Sequence, residues 1–278
     1  MKRAGFSPAR VALIAEYTVR EAARQRLPLL MGMLAAVTAG AALMLRDFNF
    51  GATELKFLLD AGLGALMIFG AILAIVAMAQ LFFSEIERRT VLTVLAKPVW
   101  RAEFILGKFG GVLLLLLAYC GLGTALLTGL LWWREAALMS SDPAVFPDGR
   151  RVAYAGVALC GLVEWLKLGV LAALTLLVAS YARSSLFAVG VGFLALITGH
   201  LLHLARDIPG NPDSLWLRGG SRVLSLMLPD FQLFAVADKV AAGESLPLSL
   251  VGGIAIYALG YMAAFSGMAV YCFRQREL

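Results

Sequence analysis

Six long stretches of the chain are almost without polar residues: Leu27–Leu45, Ala61–Phe83, Phe109–Trp133, Val152–Ser180, Leu186–Ala205 and Leu248–Phe273. A bilayer core about 30 Å thick takes roughly 20 apolar residues in a helix. Backbone groups in hydrocarbon must also be satisfied within the segment, which makes each run a helix. The fourth run is longer than a crossing requires and contains Glu164 and Lys167. Its span is expected from about Gly161 to Tyr181, with a helical extension outside the bilayer before it. Ahead of the first run, residues 7–26 place Val11, Ile14, Ala15, Thr18 and Ala22 on one face, and Arg10, Glu16, Arg20, Glu21 and Arg24 largely on others. That pattern predicts a helix lying in the membrane interface, and Pro28 then turns the chain into the first span.

The connections differ in size. Arg46–Asp60 is short, and the stretch from Arg134 to about Arg151 holds Pro143, Pro147 and Gly149. Residues 206–247 form the longest outer loop, in which Ser221–Ala242 is amphipathic enough for one or two short helices at the outer surface. The predicted fold is an all-α membrane protein of six transmembrane helices with an N-terminal interfacial helix, a single transmembrane domain over residues 1–278. No internal repeat or low-complexity stretch interrupts it.

Composition agrees with lipid as the solvent. The chain is 61% hydrophobic and only 15% charged, against about 45–50% and 25% in soluble domains. The net charge of +6 concerns sidedness and is no sign of nucleic acid. More than half of the 24 Lys and Arg, including Lys2, Arg3, Arg20, Arg88, Arg89, Lys97, Lys108 and Arg274, fall on one side if both termini share it. The positive-inside rule makes that side cytoplasmic, so the expectation is a multi-pass protein of the cell (inner) membrane with both ends inside. A cleaved signal peptide is not expected, because the first apolar run lies behind a long acid-containing stretch. Cys120, Cys160 and Cys272 stand singly in apolar runs and read as small packing residues.

The connection between the second and third runs carries the most information. Glu85, Glu87, Arg88 and Arg89 anchor its start in the cytosol, and Val91, Leu92, Val94 and Leu95 form an apolar patch. Pro98 stops the helix, having no N–H and clashing with the preceding turn. From Ala102 to Lys108 the chain climbs back toward the bilayer. A hairpin between two spans needs only a few polar residues, so a short amphipathic helix here suits either burial against a cytosolic partner or an interfacial position with Arg side chains reaching phosphates.

These residues resemble those of the type-2 ABC transporter permeases. The matching elements are Glu85 and Glu87 at the end of span two, Arg89-Thr90, Leu92 and Leu95, Pro98-Val99-Trp100-Arg101, and Gly107-Lys108 at the foot of span three. The N-terminal helix, the six spans and Leu228-Pro229-Asp230 before span six extend the resemblance over nearly the whole chain. Arg89 stands where the family often has glycine. Within the family, size and linker look most like the permeases of copper-enzyme maturation (NosY-like). The resemblance implies a coupling helix over 85–97, gripped through Glu85, Glu87, Arg88, Arg89, Leu92, Leu95, Pro98 and Arg101 by a separate cytoplasmic ABC ATPase subunit. It also implies a second permease copy, a homodimer. No GxxxxGK[ST] loop is present, since Ala102 and Phe109 break the pattern around Gly107-Lys108. The permease is therefore expected to be non-catalytic and without a cofactor of its own, with ATP and magnesium held by the partner.

Other residues offer other chemistry. Glu164 and Lys167, three apart on one helical face, suit an ion pair or a substrate cavity. His200, His203 and Asp207 recur at i, i+3 and i+7 near the outer end of span five, a weak metal-ligand pattern. They would serve an alternative membrane-embedded metalloprotein or enzyme. A secondary carrier would call for midplane charges and an internal repeat. Gly260 and Gly267 in span six, continued by Ala263 and Ala264, suit close packing on another helix. Thr124 and Thr128 suit either a pathway lining or bonds between helices.

Overall fold

The computed structural model describes residues 7–25, 29, 32–34, 36–40, 52–87, 100–141, 152–207, 229–241 and 246–275. The described chain is helical apart from short connections. The predicted interfacial helix is present as α1 (Pro8–Gln25), and within the first apolar run residues 32–34 and 36–40 are helical. There follow α2 (Ala52–Glu87), α3 (Arg101–Ser141), α4 (Tyr154–Tyr181), α5 (Ser185–Asp207), a 3₁₀ turn at Phe231–Phe234, the short α6 (Ala237–Ala241) and α7 (Leu248–Gln275). Four of these, α2, α3, α4 and α7, are long and apolar enough to cross a membrane. The apolar part of α5, Ser185–Leu201, is shorter.

The long helices run up and down, so their ends gather at two poles. At one pole, here called the foot, the end of α2 meets the start of α3 and the end of α7 through Phe82, Phe104 and Phe273. At the other, the head, the start of α4 meets α6 where Val240 touches the Cβ position of Gly156. Phe231 likewise covers Gly199 of α5. The 3₁₀ turn is capped by Asp230, whose carboxylate accepts from the Gln232 N–H at 3.1 Å, while its own N–H donates to the Tyr257 hydroxyl at 2.9 Å. The short helices expected in the 206–247 loop are thus built into the head.

The centre of the bundle is α4, buried along most of its length and packed by α2, α3, α5 and α7. Glycines set the closest approaches: at Gly169 a Cβ would meet Met262 Sδ of α7 at 2.9 Å, and at Gly70 it would meet Leu168 of α4 at 2.5 Å. Small residues substitute for a hydrophobic driving force that lipid does not supply between helices.

Two boundaries differ from the hydropathy reading. Helix α2 begins at Ala52, well before Ala61, and α3 continues past Trp133 to Ser141. The charges at Arg134 and Glu135 mark the end of the apolar run but not of the helix. Both side chains are buried, and the Glu135 carboxylate accepts from the Val152 N–H at 3.2 Å and from the Tyr154 hydroxyl. The last turns of α3 are therefore held against the start of α4.

Candidate functional site

The linker between α2 and α3 emerges at the foot. Arg88, Arg89, Leu92, Leu95 and Pro98 lie outside the described residues, as do residues 88–97 of the expected coupling helix. Glu85 and Glu87 are in the last turns of α2. What the structure describes is how the two roots of the linker are held.

A buried aromatic cluster joins them. Phe82 and Phe83 at the end of α2 meet edge to face at 5.7 Å between centroids. Phe82 also lies 6.4 Å from Phe104 near the start of α3 and 5.6 Å from Phe273 near the end of α7. Phe104 and Phe273 stack at 6.0 Å. Such ring contacts add about 0.5–1.5 kcal/mol each beyond the area they bury.

Arg101 extends the join. Its guanidinium donates to the carbonyls of Phe273 at 3.2 Å and Arg274 at 2.9 Å and lies over the Phe273 ring. The last carbonyls of a helix have no intrahelical partner and carry its negative dipole end. A guanidinium answers both needs, so the first residue of α3 caps α7.

Glu103, with its side chain fully buried, performs the matching task for α1. Its carboxylate accepts the N–H of Ser7 at 2.6 Å and of Trp100 at 2.9 Å, and the Arg10 guanidinium at 3.4 Å. One acid thereby fixes the start of α1 to the start of α3. Further along, α1 lies directly on the α3 backbone. A Cβ at Gly107 would sit 2.6 Å from Ile14, and one at Gly111 would sit 2.8 Å from the Ala15 carbonyl. Between them Lys108 is wholly buried, 4.0 Å from the Glu21 carboxylate and 5.9 Å from the centre of the Tyr17 ring. A buried ammonium needs such company.

The foot is therefore one block of α1, both linker roots and the end of α7. Glu103, the phenylalanine cluster and the Gly107–Gly111 seat were not singled out from the sequence. The GxxxG spacing and a lone acid at the foot of an apolar run were the available signals.

The other candidates disperse. Glu164 and Lys167 form an ion pair at 3.8 Å inside the bundle, with side chains 13% and 7% exposed. His200 bonds through Nδ1 to the Leu196 carbonyl at 2.9 Å and packs its ring on Phe231 at 5.5 Å. The side chains of His203 and Asp207 lie outside the described residues. Among the described residues no group of three His, Cys, Asp or Glu is placed to hold a metal. Thr124 and Thr128 bond back to the carbonyls of Cys120 at 2.6 Å and Thr124 at 2.7 Å, and both line a groove of about 740 Å³ between α3 and α4. Neither Glu164 nor Lys167 lines it.

Comparison with known proteins gives one positive finding. Residues 11–204 match the family model described as ABC-2 family transporter protein, a region running from α1 through most of α5. No curated protein matches the chain.

Proposed function

The chain belongs to the ABC-2 family of transporter proteins, and from that premise we propose that it is a six-span permease driven by a separate cytoplasmic ATPase subunit through residues 85–97. As a member of that family it is a multi-pass membrane component of an ABC transporter. In the proposed reading the spans are the first apolar run together with α2, α3, α4, α5 and α7. Both termini and the linker face the cytosol, in the inner membrane of the cell, and two copies form a homodimer. The permease performs no catalysis, and ATP and magnesium belong to the partner.

The observation that supports this reading best is the clamping of both linker roots to α1 and α7. A lever is useful only if its two ends are tied to the parts that must move. Here Arg101 holds α7, Glu103 holds α1, and Phe82 and Phe104 hold each other's helices. Closure of an ATPase dimer on ATP would press the linker and tilt the foot as a rigid body, opening the pathway to the other side in turn. By size and linker the chain resembles the permeases of copper-enzyme maturation. The alternative of a metalloprotein has little to draw on, since among the described residues no three His, Cys, Asp or Glu are grouped to hold a metal.

The test is association and sidedness in the same preparation. The chain is purified from membranes with a co-expressed ABC ATPase subunit, with and without the charge reversals Glu87→Lys and Arg88→Glu. Loss of ATPase association in the double variant, with insertion and yield unchanged, is the expected result. Equal association, or labelling of a Thr93→Cys variant only from the outside of intact cells, would overturn the proposal.

A further inference from the structure

We infer that the groove between α3 and α4 is a lipid site that holds one acyl chain of a bilayer phospholipid, entering from the leaflet at the head. Its wall runs along α3 from Leu117 to Trp132, about 22 Å at 1.5 Å per residue. On α4 it is bounded by Ala158, Gly161 and Trp165.

The chemistry of the wall selects hydrocarbon. Four polar groups on it, those of Thr124, Thr128, Trp165 and Tyr154, already have partners inside the protein. The Thr124 and Thr128 hydroxyls bond to their own helix. The Trp165 indole N–H donates to the Leu113 carbonyl at 3.0 Å, and the Tyr154 hydroxyl is given to Glu135. A ligand that needed hydrogen bonds would have to forgo them here, at about 1–3 kcal/mol per buried group.

The shape selects a chain and not a helix. Two bonds join α3 to α4 at the ends of the groove, Trp165 to Leu113 toward the foot and Tyr154 to Glu135 at the head, and its side stays open for entry from the leaflet. A helix cannot enter between α3 and α4 there, because the two already touch at Thr124 and Gly161, where an added Cβ would meet the Thr124 hydroxyl oxygen at 2.2 Å. One lipid tail covers a single leaflet, about 15 Å of a 30 Å core, and fits within the length of the groove. Exposed Trp132 and Trp133 stand beside the charged pair Arg134 and Glu135, the position of an aromatic belt at the headgroup level.

The floor supports the same reading. Among the described residues nothing lies within 4 Å of a Cβ built at Gly121 or Gly129, whereas one at Gly161 would meet the Thr124 hydroxyl oxygen at 2.2 Å. Packing among the described residues thus accounts for Gly161, while Gly121 and Gly129 leave the groove wall open.

The experiment uses the full chain in phosphatidylcholine nanodiscs containing a phospholipid with a diazirine in mid-chain, followed by irradiation and mapping of labelled residues. Residues 117–132 and 158–165 should be labelled at least fivefold more than the exposed α7 residues Ile256, Leu259 and Tyr271. Gly129→Leu, placed in open space so that folding survives, should bring groove labelling down to the α7 level. Equal labelling of groove and α7 face in the unsubstituted protein would overturn the inference, as would undiminished groove labelling in the variant. So would quantitative disulfide dimers of Gly129→Cys with groove labelling absent, which would make the face an interface between copies.

Discussion

The carboxylate of Glu103 accepts the backbone N–H of Ser7 at 2.6 Å, across 96 residues of sequence. Helix α1 is thereby tied, through the residue just before it, to the root of the linker that the proposed mechanism uses as a lever. Removing the acceptor strands two backbone donors and the Arg10 guanidinium at a buried site. Hydrogen bonds to a charged group are worth about 1.5–3 kcal/mol, so Glu103→Ala should lower the melting temperature in detergent by several degrees. It should also expose α1 to trypsin at Arg20 and Arg24. Glu103→Gln, which keeps an acceptor, should fall between. Equal melting of all three proteins would mean that α1 is held by its apolar face alone.

Arg101 makes the corresponding contact on the other flank, donating to the Phe273 and Arg274 carbonyls. Arg101→Ala should increase amide hydrogen exchange in the last turns of α7 by tenfold or more and leave the middle of that helix unchanged. Lysine carries charge to the helix end but lacks the guanidinium fork, so Arg101→Lys should restore part of the protection. Exchange that rises along all of α7 would show that the bundle as a whole depends on this residue.

The seat of α1 on α3 distinguishes neighbouring glycines. At Gly111 an added methyl meets the Ala15 backbone carbonyl at 2.8 Å, which cannot step aside, whereas at Gly110 it meets only the Ala15 side chain at 3.8 Å. Gly111→Ala should therefore destabilise by about 1–3 kcal/mol, the usual range for overpacking, and Gly110→Ala should be close to neutral. Thermal melts of the two variants give the comparison, and its sign is fixed by geometry alone.

Those glycines show what the sequence makes legible. The apolar face of residues 7–26 was readable as a helical period, and so were the long helices α2, α3, α4 and α7, because lipid imposes a length and a polarity that the sequence records. Which surface that face would cover was not readable. Periodicity gives the direction of burial and says nothing of the partner, so Gly107-Lys108 was legible as a family motif and not as the bed of α1. The ends of α2 and α3 were misplaced for a related reason. Arg134 and Glu135 look like exit from the bilayer until Val152 and Tyr154 supply the partners of Glu135. The linker residues 88–97 lie outside the described residues, and the clamps that Arg101 and Glu103 make at its root needed three dimensions.

The pair Glu164 and Lys167 allows a test of whether a buried ion pair stabilises this bundle or merely tolerates its setting. The nitrogen lies 3.8 Å from one carboxylate oxygen, and the other oxygen has no hydrogen-bond partner among the described residues. That is a poorly satisfied pair, and desolvation of such pairs offsets much of their attraction. Removing one partner leaves a buried charge alone, which costs about 3–5 kcal/mol, whereas apolar replacement of both is often neutral or better. Lys167→Met and Glu164→Leu should each lower the melting temperature clearly, and the double variant should recover most of the loss. Since neither residue lines the groove, lipid labelling there should be unchanged in the double variant. Additive losses in the thermal cycle would show that the two charges act through different neighbours, and would return them to consideration as separate sites.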